Sequence, residues 1–203
     1  MNQMNAGHEN FKTLVESIVP LFDNDLALID EAENIEKYHY VIATNSLNDV
    51  WRRKLGLKKW KSVTATLLSR LLDLMEKSKA DYTIVWRRLI DVDKVEDMLD
   101  AFYKDLSDAT LAEWNVWISD WQSLNPDKEL MKQNNPIYVP REWMLVDAYS
   151  KANDGDYSLV KELNELLKYP YEKQSQSMLE KYFKKADIKD QNKPGTAFVT
   201  CSS

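Results

Sequence analysis

Apolar residues recur along most of this chain at intervals of three and four, the spacing that puts them on one face of an α-helix. Phe11, Leu14, Val15 and Ile18 begin the pattern, and Pro20 closes it. Asp23 or Asn24 is placed to cap a second helix with Leu26, Ile29 and Ala32, continuing less regularly through Tyr38, Val41 and Ile42. Asn45, Ser46 and Asn48 favour a break or a cap there, because their side chains compete for backbone hydrogen bonds. Gly56, behind Arg52-Arg53-Lys54, fits a left-handed helix stop with basic charge at the negative end of the dipole.

Further on, Leu67, Leu68, Leu71, Leu72 and Met75 form a wide stripe for a deeply packed helix. Asp81 caps a segment whose Tyr82, Val85, Trp86 and Leu89 share a face. Val95, Leu99, Phe102 and Leu106 predict another helix, and Ser107 or Asp108 caps one with Leu111, Trp114, Ile118 and Trp121. Asn125-Pro126 ends that helix, and Asp127 caps a short one through Met131. Ile137-Tyr138-Val139 reads as an extended segment over the core. Pro140 suits the first turn of a helix with Trp143, Val146 and Tyr149. Asn153-Asp154-Gly155 stops it, and Asp156 caps a helix facing Val160, Leu163 and Leu167 inward. A last helix from Gln174 carries Met178, Leu179, Tyr182 and Phe183.

The fold class that follows is all-α: an irregular domain of about 8 to 10 helices. The expected division is a disordered N-terminus over 1–8, a helical domain over 9–186, and a flexible tail over 187–203. Composition supports it. Only 4 Gly and 6 Pro among 203 residues leave too few turn formers for a sandwich or barrel. Hydrophobic residues at 44% and charged residues at 30% argue against wholesale disorder.

The net charge of −6 disfavours a general nucleic-acid binder. Lys58-Lys59-Trp60-Lys61 is the one local basic cluster, and a solvated loop explains it better than a phosphate site. No run is apolar enough to span a membrane, and the N-terminus has neither signal-peptide nor presequence character, so the expected partners include no nucleic acid and no membrane. Trp114, Trp117 and Trp121 sit at helical spacing with little basic charge beside them, which favours core filling over base stacking. Chain connection alone would allow a helix-turn-helix over 140–168, but its second helix is acidic.

Catalytic chemistry is hard to place. There is no glycine-rich phosphate loop, no protein-kinase signature and no nucleophile elbow. His8, His39 and the single cysteine show no zinc spacing, so no metal site is expected. The acidic pairs Asp91/Asp93 and Asp154/Asp156 fall where helix caps belong. Cys201, third from the end, is the one reactive group to note, and an incidental tail thiol is its plainest reading.

Several short motifs, in order, resemble the C-terminal region of the selenoprotein O family. They are Arg53-Lys54-Leu55-Gly56-Leu57; Asp81-Tyr82-Thr83 with Trp86-Arg87-Arg88-Leu89; Asn135-Pro136-Ile137-Tyr138-Val139-Pro140-Arg141; Ala152 with Gly155-Asp156-Tyr157; and Tyr169-Pro170-Tyr171. The terminal Cys201-Ser202-Ser203 resembles the family end, where cysteine or selenocysteine stands third from last. The match departs at Pro140-Arg141-Glu142, where the family often has Leu-Arg-Asn, and the tail lacks the usual proline-rich stretch.

The resemblance implies a protein adenylyltransferase with a pseudokinase fold, which moves AMP from ATP to protein hydroxyl groups. ATP and Mg2+ are implied for the full-length family only; none of their binding motifs, and no catalytic residue, carries over to this chain. The chain is then a C-terminal helical domain or fragment that is not catalytic alone. Its implied partners are a kinase-like N-terminal lobe, in cis or as a separate chain, and protein substrates. Cytoplasm or mitochondrion is the implied compartment. Cys201 takes an implied redox role, without an intramolecular bridge because no second cysteine exists. The alternative is a free-standing helical protein-interaction module.

Overall fold

The computed structural model describes residues 3–187. Among them are nine α-helices and two 3-10 segments, with no strand; one isolated antiparallel bridge joins Ala80 and Phe102. The fold is all-α. Cys201 and the expected tail after Asp187 lie outside the described residues. The chain divides into two compact units, Met1–Trp51 and Arg52–Ser203.

In the first unit α1 spans Gln3–Ile18 and so begins inside the stretch expected to be loose. Pro20 sits in a 3-10 turn, Val19–Phe22, rather than ending the chain's helical run outright. The next helix, α2, spans Leu26–Lys54. Its cap is Asp25, whose Oδ1 accepts from the amides of Ala27 (2.9 Å) and Leu28 (3.3 Å). Asp23 and Asn24, the sequence candidates, instead take positive φ angles of 48° and 64° in the turn. The break expected at Asn45–Asn48 does not occur. Asn45 and Ser46 are exposed, so their side chains are open to water and need not compete for the helix backbone.

The second unit holds the dense core. A Schellman closure ends α2: Leu57 N donates to Arg52 O (2.9 Å) and Gly56 N to Arg53 O (3.0 Å), with Gly56 at φ +69°. Helix α3 (Ser62–Lys77) buries Leu67, Leu68, Leu71, Leu74 and Met75. Helix α4 (Tyr82–Arg88) is capped by Asp81, and α5 (Asp108–Gln122) by Ser107. Trp114, Trp117 and Trp121 are all buried on α5, Trp117 included, although it stands off the expected stripe. Two of them are tied down: Trp117 Nε1 donates to Leu67 O and Trp121 Nε1 to Leu55 O, each at 2.9 Å.

The helix expected from Val95 to Leu106 is corrected to a 3-10 segment, Val95–Ala101, with Met98 off helical geometry. Its buried residues, Val95, Met98 and Ala101, repeat every three positions, the 3-10 period, while Leu99 is exposed. Lys94 is the N-cap residue, and Asp97, inside the first turn, accepts from the amides of Asp93 and Lys94. Asp91 and Asp93 do not cap.

Helix α6 (Lys128–Asn134) follows its Asp127 cap. Pro140 precedes α7 (Glu142–Asn153), where Arg141 is the N-cap residue, so the proline lies outside the first turn. The buried face of α7 is Trp143, Met144 and Ala148, while Tyr149 is exposed. Gly155, at φ +83°, ends it as expected, and Asp156 accepts from Ser158 N (2.9 Å) to start α8 (Ser158–Lys168). There Leu163 and Leu166 are buried, and Val160 is exposed. Helix α9 (Gln176–Tyr182) packs Met178 and Leu179 against the same cluster as Trp143 and Leu163.

Candidate functional site

The motifs that set this sequence apart meet around α4. Asp81 is the hub. Its Oδ1 accepts the cap bond from Ile84 N (3.1 Å), and its backbone amide donates to Ala101 O (2.7 Å). Arg141 grips the same carboxylate in a fork, Nη1 to Oδ2 at 2.6 Å and Nη2 to Oδ1 at 2.7 Å. Tyr103 donates its hydroxyl to Oδ2 at 3.1 Å. The pair is buried, with 14% of the Arg141 side chain and 6% of that of Asp81 exposed. Burial, then the neighbouring carboxylate, raises the Tyr103 phenol above its ordinary range.

A second knot lies at the other end of α4. Arg87 Nη1 donates to Asn135 O (2.9 Å) and Lys132 O (3.1 Å), binding the last turn of α6. Asn135 is fully buried and reaches back with Nδ2 to Lys54 O at 2.8 Å. Asp127 N donates to Gly56 O at 2.7 Å. A Cβ on Gly56 would stand 2.8 Å from Asp127 O and 2.9 Å from Asp127 N, so glycine is required by contact as well as by φ. Ile137 stands at a bend rather than in the expected extended segment, and the amides of Ile137 and Tyr138 both donate to Pro170 O, at 2.8 and 3.1 Å. Lysine-leucine-glycine, Asp-Tyr-Thr, Trp-Arg-Arg, Asn-Pro-Ile-Tyr and Tyr-Pro-Tyr are thus one connected structure.

Lys54 sits over this knot. Its Nζ stands 4.6 Å from the Trp86 ring centroid and 5.7 Å from that of Tyr82. Burial pushes its amine down to about 8. Beyond α8, Tyr182 donates a short hydrogen bond to Glu162, which Lys181 also holds at 2.6 Å. Burial, then that carboxylate, pushes the Tyr182 phenol up to about 12.

These contacts fix backbone. Among the described residues no group of three or more His, Cys, Asp or Glu side chains is placed to hold a metal ion. Asp81, the one buried carboxylate among the described residues, accepts from Arg141, Tyr103 and Ile84. Lys58, Lys59 and Lys61 are exposed. His8 and His39, remote in sequence, come together in the first unit with ring centroids 6.2 Å apart, and His8 pairs with Glu36 at 3.3 Å.

The chain matches the family model described as protein adenylyltransferase SelO over residues 1–168. It belongs to that family. Among its relatives, the protein nucleotidyltransferase YdiU of Flavobacterium johnsoniae is 31% identical over 222 residues, covering 100% of this chain and 41% of the relative. That of Tolumonas auensis is 28% identical, covering 96% and 39%. That of Bacillus mycoides is 34% identical, covering 78% and 33%. The chain spans about two fifths of the length of the first of these relatives.

Within this SelO-family chain, sequence reading found the motif residues but not their partners. Arg87, Arg141 and Lys54 were visible only as letters of motifs. The usable signal was charge set beside apolar residues: Asp81 before Ile84-Val85-Trp86, and Arg141 with Glu142 between Pro140 and Trp143.

Proposed function

We propose that this chain is a helical, non-catalytic region of a SelO-type protein adenylyltransferase. In this reading the full enzyme transfers AMP from ATP to a protein hydroxyl. The hydroxyl oxygen attacks the α-phosphorus, the bond to the leaving pyrophosphate breaks, and the hydroxyl proton passes to a base outside this chain. A kinase-like lobe, in cis or as a separate chain, holds ATP and Mg2+ and meets the protein substrate. The observation that carries the reading is the use made of the motif residues. Asp81, Arg87, Asn135 and Arg141 each bond to other parts of the same unit, which is the work of a scaffold. The coverage of 41% of the Flavobacterium relative leaves room for a separate nucleotide-binding part. Cys201 is the one thiol in these 203 residues, so a disulfide formed by it in this reading takes its second sulfur from outside them.

The test is to incubate the purified chain with ATP labelled on the α-phosphate, Mg2+ and candidate acceptor proteins. No transfer above background is expected from the chain alone. Transfer that depends on this chain and on Mg2+ would overturn the reading.

A further inference from the structure

The first unit presents one apolar side and one polar side. Val15 and Ala32 are its buried hydrophobic residues among those described. Two helices side by side make a single layer, and a stable core needs a second. Phe11, Leu14, Ile18, Ile35, Tyr38 and Ile42 line two adjoining grooves, of about 210 and 460 Å³, which share Phe11 and Ile35. Tyr38 and Ile42 are 67% and 62% exposed. Glu33 and Lys37 lie two residues either side of Ile35, hence about 200° around α2, on the polar side. Residues 1–51 carry nine Asp or Glu against two Lys, so the apolar face is set in an acidic unit.

We propose that this face of α1 and α2 is the docking surface for the part of a SelO-type polypeptide outside the 41% of the Flavobacterium johnsoniae relative matched here. The inference rests on the reading of the chain as a region of a longer adenylyltransferase. It adds which surface is used and the chemistry that faces it: an apolar centre with a basic rim. Charge argues against a second copy, which would bring its own Glu31, an acid lining this groove, against the same residue here. An exposed face of this size is otherwise an aggregation hazard.

The experiment mixes the full chain with the non-matching part of the Flavobacterium relative and follows association by titration calorimetry and hydrogen exchange. A one-to-one complex is expected, with exchange slowed over residues 11–42 and association slowed by added salt. Ile42→Glu and Tyr38→Lys are each expected to weaken binding at least tenfold. Lys37→Ala, on the polar side, leaves binding unchanged. Both groove positions are exposed, and circular dichroism checks that each variant stays folded. A complex that ignores both groove variants overturns the surface while leaving the parent reading intact. Absence of a complex with a folded partner, or self-association through this face, overturns the docking proposal. The parent reading stands or falls separately, on the AMP-transfer assay.

Discussion

Arg141 holds Asp81 by two parallel hydrogen bonds across 60 residues of sequence, joining the cap of α4 to the entry of α7. The pair is buried, so its members matter most when one is lost. Arg141→Ala leaves a carboxylate in low dielectric, and Asp81→Ala leaves a guanidinium there and also removes a helix cap. Each is expected to cost about 3–5 kcal/mol of unfolding free energy. The double variant is expected to cost clearly less than the two together, since no orphaned charge remains. Arg141→Lys cannot reproduce the fork and falls between wild type and Arg141→Ala. Urea unfolding of the four proteins measures this, and additive losses would mean the pair is not coupled.

Two glycines share a left-handed backbone but not their surroundings. Gly155 has nothing within 4 Å of its would-be Cβ, so Gly155→Ala carries only the conformational penalty, about 1–2 kcal/mol. Gly56→Ala adds a collision with the backbone of Asp127 at 2.8 Å, which cannot rotate away. The second substitution is expected to cost at least twice the first. Equal midpoints in denaturant would show that the turn at Asp127 yields freely.

The tryptophans of α5 allow a similar contrast. Trp121→Phe strips the donor from Leu55 O and leaves a buried carbonyl unpaired, at about 1–3 kcal/mol beyond the lost packing. Trp114 Nε1 has no hydrogen-bond partner among the described residues, so Trp114→Phe loses packing alone. The Trp121 variant is therefore expected to melt lower than the Trp114 variant. The reverse order would mean that ring volume, not the indole hydrogen bond, dominates at both sites.

The helical class, the Asp81, Ser107 and Asp127 caps and the Gly56 and Gly155 stops were legible in the sequence, because each is decided by residues within one turn. The Val95–Ala101 segment was not, since its buried positions repeat at three where the expected helix used Leu99 and Leu106. Nor was the uninterrupted α2, whose Asn45 and Ser46 face water. The motif network escaped sequence reading for another reason. Its bonds span 48, 60, 66 and 81 residues, and no local pattern specifies which buried polar group meets which.

The Lys54 amine, brought down to about 8 by burial, gives the chain a signature in alkaline stability. Its ordinary value is 10.5. Between about pH 8 and pH 10 the unfolded chain keeps the Lys54 proton while the folded chain releases it. The unfolded state then binds more protons, so stability rises with pH across this window. Below pH 8 both states hold the proton and the dependence vanishes. Contact with the Trp86 ring favours the charged form and trims the effect, which leaves an expected gain of about 1–3 kcal/mol. Tyr182 acts in the opposite sense higher up, because its phenol is raised to about 12. From pH 10 upward the unfolded tyrosine loses its proton first, and stability falls. Urea unfolding between pH 7.5 and 11 is therefore expected to show a maximum near pH 10. Lys54→Met removes the rise and keeps the fall; Tyr182→Phe weakens the fall and keeps the rise. A rise that survives Lys54→Met would assign the alkaline stabilisation to another group.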